Sequence, residues 1–273
     1  MSNTPEQHIK AHLLSKSLPV SPSWLSNFLA STSQQQQRAP ISALTQTALF
    51  RILASNFTVS LSTSTPSALL PGNISDPAIK ERRIPGPVPV QVLDIEDIGT
   101  SLWSQVEAIE RIERGETVRG KAIVRNVNVD KRNDQGTESS SSSDQTTARN
   151  PSRTSSNANA DSGNNSGNAS NGPHRLVLQD AAGTKVIALE LKPVEGIAIG
   201  KLPIGAKLLL KNTVVGRGMV LLTPETVTLL GGKIEAMDAA WRKSRKESLL
   251  ARIEAIDREQ RERVANGDMI EED

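Results

Sequence analysis

Residues 203–232 read Pro-Ile-Gly-Ala-Lys-Leu-Leu-Leu-Lys-Asn-Thr-Val-Val-Gly-Arg-Gly-Met-Val-Leu-Leu-Thr-Pro-Glu-Thr-Val-Thr-Leu-Leu-Gly-Gly. Pro203-Ile204-Gly205 turns the chain into the apolar run Leu208-Leu209-Leu210, which continues towards Val215 as a strand. Gly216-Arg217-Gly218 reverses it, and Met219 to Leu222 and Val227 to Leu230 return before Gly231-Gly232. Upstream, a short helical piece is expected from Pro193 to Ile199. Before it, Arg175 to Gln179 and Lys185 to Leu191 form two β-rich runs joined by the turn-rich Asp180 to Thr184. Thr117 to Val127 reads as a further strand, bent at Gly120. The order is strand, strand, strand, short helix, strand, strand, which predicts a five-stranded Greek-key OB barrel, mainly β with helical additions.

Residues 130–173 interrupt this pattern with a Ser/Asn/Gly/Asp/Thr tract almost free of apolar side chains. Such a composition cannot offset the entropy of ordering, so a disordered insertion between strands 1 and 2 is expected. Ser21-Pro22 marks a helix start, followed by the stripe Trp24, Leu25, Phe28 and Leu29, and a second helix is expected from Ile41 to Ser55. His8 and His12 are expected in a loose N-terminus. Val88 to Leu93 is strand-like and Leu102 to Ile112 helical, ended by Gly115. Beyond Gly232 runs a charged amphipathic helix. The predicted domains are 1–83, helical region and linker; 84–236, OB fold with the 130–173 insertion; and 237–273, charged helix.

The chemistry classes thin out quickly. The chain has no Cys, so thiolate catalysis and thiolate metal sites are excluded, and three scattered His suggest no triad. No catalytic residue, cofactor or metal is expected. Asp94, Glu96 and Asp97 are expected to face water. No window reaches the 18 apolar residues of a membrane span, and Met1 to Lys10 has no signal-peptide core, so an intracellular protein is expected. A net charge of +2 does not diagnose a nucleic-acid partner. From Thr117 to Gly232 there is no Phe, Tyr or Trp, which removes the stacking faces that a strong single-strand binder needs. Weak or indirect DNA contact and a protein-binding role follow, with single-stranded DNA binding as the alternative. Arg242-Lys243-Ser244-Arg245-Lys246 reads as a solvated helix face before it reads as a nuclear signal.

Three stretches carry a family resemblance: Val20-Ser21-Pro22-Ser23-Trp24-Leu25, Val90 to Ile95, and the 203–232 segment. Their order and spacing are similar to the N-terminal region of the RecQ-mediated genome instability protein 1 family. The resemblance covers roughly residues 20 to 255, the insertion excepted. An Asp-Leu-Arg element common in that family is not recognisable between Leu53 and Leu69. The resemblance implies a nuclear OB-fold adaptor without catalytic chemistry. Its implied partners are type IA topoisomerase III and a RecQ-family helicase, and its implied task is stimulating double Holliday junction dissolution without crossing over. It implies too that the strand 1–2 insertion meets the topoisomerase through its flanks, Val127, Asp130, Lys131, Arg132, Pro173, His174 and Arg175. Lys207, which matches a family Pro-x-Gly-x-Lys pattern, is implied at the same interface.

Overall fold

The computed structural model describes residues 4–36, 40–119, 122–125 and 172–267. Helices α1 (Pro5–Ser15), α2 (Pro22–Gln36), α3 (Ile41–Leu53) and α4 (Phe57–Ser60) come first. They are followed by strands β1 (Glu81–Ile84) and β2 (Val88–Asp97), helix α5 (Leu102–Glu113), and strands β3 (Glu116–Arg119) and β4 (Ala122–Arg125). Then come β5 (His174–Gln179), β6 (Lys185–Glu190), β7 (Lys207–Leu210), β8 (Thr213–Gly216), β9 (Met219–Leu222), β10 (Val227–Gly231) and the long α6 (Glu235–Gly267).

The N-terminus is ordered, against expectation. Thr4 and Gln7 form a reciprocal capping box, which satisfies donors at the start of α1 while Ile9 and Leu13 go into the helical core. That signal, Thr-x-x-Gln ahead of Ile9, stands in the sequence. His8 and His12 therefore lie on a helix. Phe28 and Phe57 are core residues, and Trp24 stacks on Phe28 with ring centroids 5.5 Å apart. Phe50, by contrast, is 75% exposed.

The main sheet has the order β1-β8-β9-β6-β5-β2-β7-β10. β6 and β9 pair in parallel and every other neighbouring pair is antiparallel. β7 and β8 are the two halves of one strand, separated only by Lys211 and Asn212, the latter at φ 56°. One half pairs with β2 and the other with β9, so this bent strand closes the barrel through the chain itself. Counting the halves as one, the barrel strands are β2, β5, β6, β7–β8 and β9, the OB arrangement, with β1 and β10 added at the edges. Leu176, Leu178, Val186, Ala188, Leu208, Leu210, Val220 and Leu222 alternate inward and pack with Val90, Val92 and Ile95 in an aliphatic core.

The fold class is as expected, but the first strand is not. Thr117 to Val127 was expected to fill that position; residues 116–125 instead pair locally as the two-stranded β3–β4 ladder, and β2 is the barrel's first strand. β2 is buried along most of its length although Gln91, Asp94, Glu96 and Asp97 are polar, and a bulge between Val92 and Asp94 interrupts its alternation. Gly120 lies outside the described residues. Residues 193–199 form turns rather than a helix, because Gly196 and Gly200 sit at φ 88° and 87°, where a helix cannot continue. At Gly205 (φ 83°) a Cβ would stand 2.5 Å from the Ile234 nitrogen. At Gly232 (φ 84°) it would stand 2.3 Å from the Leu53 carbonyl oxygen, where the end of the barrel crosses α3.

Candidate partner-binding site

The long connection between β2 and β5 leaves and re-enters the barrel through a narrow neck. The Ile98 amide donates to the Pro173 carbonyl at 3.0 Å, and an added Cβ on Gly99 would lie 2.9 Å from the Gly172 Cα. Asp97 is buried and organises the outgoing side, its carboxylate accepting from the Gly99 amide at 2.8 Å and from the Thr100 hydroxyl. Gln105 of α5 donates to the Asp97 and Thr100 carbonyls at 2.9 and 3.1 Å. On the returning side, Glu190 accepts from the His174 amide at 2.9 Å and contacts the His174 ring, and its other oxygen accepts from the Val194 amide at 2.9 Å.

This neck separates the residues expected at the interface. Pro173 is exposed and Arg175 half-buried, so both reach the surface at the root of the loop. His174 is 2% exposed, because alternation along β5 turns it inward onto Glu190. It holds the loop root from inside and is not a surface contact. Val127, Asp130, Lys131 and Arg132 lie outside the described residues, as does the insertion from 130 to 171.

Lys207 differs more sharply from expectation: it is wholly buried, where a surface lysine at a strand mouth was expected. Its ammonium donates to Gln91 Oε1 at 3.1 Å and lies 4.5 Å from the centre of the Phe57 ring. The same Gln91 oxygen accepts from the Phe57 amide at 3.0 Å. Gln91 Nε2 donates to Asn56 Oδ1 at 2.8 Å and to Gln179 Oε1 at 3.0 Å. Asn56 is the N-cap of α4. Lys207 therefore ties the helical region to the barrel rather than offering its charge to a partner. Removal from water disfavours its ammonium form and lowers its pKa from 10.5 to about 7. Gln91, the one polar side chain of the run Val88-Pro89-Val90-Gln91-Val92, is the sequence signal that was missed.

The far end of β2 is acidic, and it too departs from expectation. Glu96 and Asp97 are buried and Asp94 is half-buried, instead of facing water. Asp94 accepts from the Trp241 indole at 2.7 Å, and Glu96 pairs with Arg252 of α6 and, at 3.4 Å, with Arg175 of β5. Leu249 and Ile253 of α6 pack on Val106 of α5. The start of α6 is pinned by Asp238, which accepts from the Ile204 amide at 2.9 Å and from Arg242 Nε at 2.8 Å. Burial alone would raise the Asp238 pKa; the Ile204, Arg242 and Lys233 donors outweigh it and hold it below the usual carboxylate value. Among the described residues, no group of three or more His, Asp or Glu is placed to hold a metal ion.

A five-stranded OB barrel with a helical region fixed to it and a long first loop drawn through a neck defines the class: an OB-fold protein with an appended helical domain. The family model described as "RMI1, N-terminal OB-fold domain" matches residues 70–245, and that described as "RMI1, N-terminal helical domain" matches residues 13–60. The chain belongs to the RecQ-mediated genome instability protein 1 family, a family of OB-fold proteins of genome stability. It is similar to the fission yeast (Schizosaccharomyces pombe) protein of that name, 29% identical over 57% of this chain and 60% of that one. It is also similar to the Xenopus laevis protein of that name, 38% identical over 29% of this chain and 14% of the frog chain. The match thus spans less than two thirds of either relative.

Proposed function

We propose that the chain is a non-catalytic adaptor that binds type IA topoisomerase III and a RecQ-family helicase in the nucleus and stimulates double Holliday junction dissolution. Membership of the family carries this reading, and the relatives' shared name supplies the link to RecQ. The neck adds physical support, since a loop anchored at Gly99 and Gly172 can engage a partner without straining the barrel. Contact falls to the loop and its flanks, with Pro173 and Arg175 on the surface, while His174 and Lys207 act indirectly by holding the loop root and the helical region. A division of labour at about residues 84 and 236 belongs to the same reading. DNA contact is weak or indirect, because the barrel segment has no aromatic stacking face.

Replacing residues 130–171 by a short turn tests the proposal. The variant is expected to melt like the intact chain and to lose stimulation of junction dissolution in a reconstituted topoisomerase and helicase assay. Full stimulation would remove the loop from the mechanism. Failure of the intact chain to bind the topoisomerase, with nanomolar binding to oligothymidine near physiological salt, would replace the adaptor reading by single-stranded DNA binding.

A further inference from the structure

The side of α6 that faces β2 and β5 borders a groove of about 320 Å³ whose lining includes Arg175, Arg245, Arg252, Trp241, Ser244 and Ser248. Two of its arginines are already engaged, since Glu96 bridges Arg175 and Arg252. Arg245 is not. Its guanidinium is half-buried, lies 5.0 Å from the Trp241 ring centre, and donates to the neutral Gln105 Oε1 at 3.2 Å. Among the described residues no carboxylate forms an ion pair with it, and Asp94 and Asp97 act on it only through space. Burial lowers its pKa from the ordinary guanidinium value, with Asp94 and Asp97 opposing the shift.

We propose that this groove is a binding site for a single anionic side chain of a partner peptide, a carboxylate or a phosphorylated hydroxyl, clamped by Arg245 with the Ser248 hydroxyl beside it. A planar guanidinium against an aromatic face suits bidentate capture of a carboxylate or phosphate. The charge balance sets the ligand class. In the lining three guanidinium groups face two carboxylates, Asp94 and Glu96, and Asp97 acts on Arg245 from outside it, so the site carries at most one net positive charge. That suffices for one anion. A nucleic-acid strand brings a charge at every phosphate, and its neighbouring phosphates would meet the two carboxylates. A peptide presents one acidic group among neutral ones, and its aliphatic part has Ile95 and Leu249 to rest on. This inference goes beyond the adaptor reading and does not depend on it.

The test follows the Arg245 side-chain N–H and Trp241 indole N–H signals in nuclear magnetic resonance spectra of the full chain at low salt, where surface electrostatics are least screened. The probes are N-acetylglutamate amide, O-phosphoserine and oligothymidine. Either small probe is expected to shift both signals saturably, with a dissociation constant on the order of millimolar for so small a ligand. The tighter of the two identifies the source of the anion. Arg245→Gln, which keeps a donor for Gln105, is expected to weaken binding at least about tenfold. Ser248→Glu, an exposed substitution, is expected to shift the Arg245 signal without ligand and to compete with either probe. Non-saturating shifts, or a Trp241 indole shift in the Arg245→Gln protein as large and as tight as in the intact chain, would overturn the proposal. So would oligothymidine shifting both signals more tightly than the small probes.

Discussion

Strand β2 carries a buried polar group at each end, and the two ends treat charge in opposite ways. At Gln91, one cation is buried against a neutral amide and an aromatic ring, with no carboxylate paired to it among the described residues. At Asp94 to Asp97, three carboxylates are wholly or partly withdrawn from water, each with donors aimed at it. The first arrangement leaves the desolvation cost largely standing, so the ammonium form is depleted near neutral pH. The second offsets that cost with an indole, two guanidinium groups and backbone amides. The cost of burying a charge thus depends on its partners as much as on its depth.

The largest effect should come from the Gln91 end. Phe57→Ala removes a wholly buried ring from the seam between helical region and barrel, and a loss of about 3–5 kcal/mol is expected in a urea melt. A loss below about 1 kcal/mol would show that the seam is not tightly packed. Lys207 sharpens the comparison through pH. Its folded pKa of about 7 lies below its ordinary 10.5, so between these values the unfolded chain holds a proton that the folded chain has released. Stability should therefore be flat in this respect below pH 7 and rise by up to about 1.4 kcal/mol per pH unit above it. Lys207→Met should flatten that rise, and an unchanged slope would mean that the lysine stays charged in the fold.

The acidic end should respond less. Trp241→Phe keeps most of the packing and deletes the donor to Asp94, for an expected loss of about 1 kcal/mol by chemical denaturation. Arg252→Ala removes a half-exposed partner of Glu96, and less than about 1 kcal/mol is expected, shrinking further in high salt. A salt-independent loss of several kcal/mol there would mean that Glu96 is as tightly enclosed as Lys207, and the contrast between the two ends would disappear.

The barrel was largely legible because its second half announces itself: glycine-bounded aliphatic runs from Arg175 to Leu230 give strands, turns and order. The first strand was misplaced because the bulge between Val92 and Asp94 breaks the alternation of Val88, Val90 and Val92, and the strand then ends in Asp94, Glu96 and Asp97, which read as solvent-facing. The burial of Lys207 was not legible, since a lysine after Pro-Ile-Gly-Ala looks the same on an edge as beneath a neighbouring helical region. Nor was the role of Asp94 and Glu96, whose partners Trp241 and Arg252 come well over a hundred positions later. Local pattern reports which way a side chain alternates; it does not report what a distant segment brings to cover it.

The Gly99–Gly172 neck makes the loop's length a free variable. The strands it joins are already in register, and each end is fixed by its own hydrogen bonds. Closure entropy grows only with the logarithm of the number of residues, so doubling the loop costs about 0.6 kcal/mol. A lineage can therefore lengthen, shorten or rewrite residues 126–171 with little penalty to the barrel. The reach and chemistry of the loop can then drift or be selected on their own, as an interchangeable attachment on a constant socket.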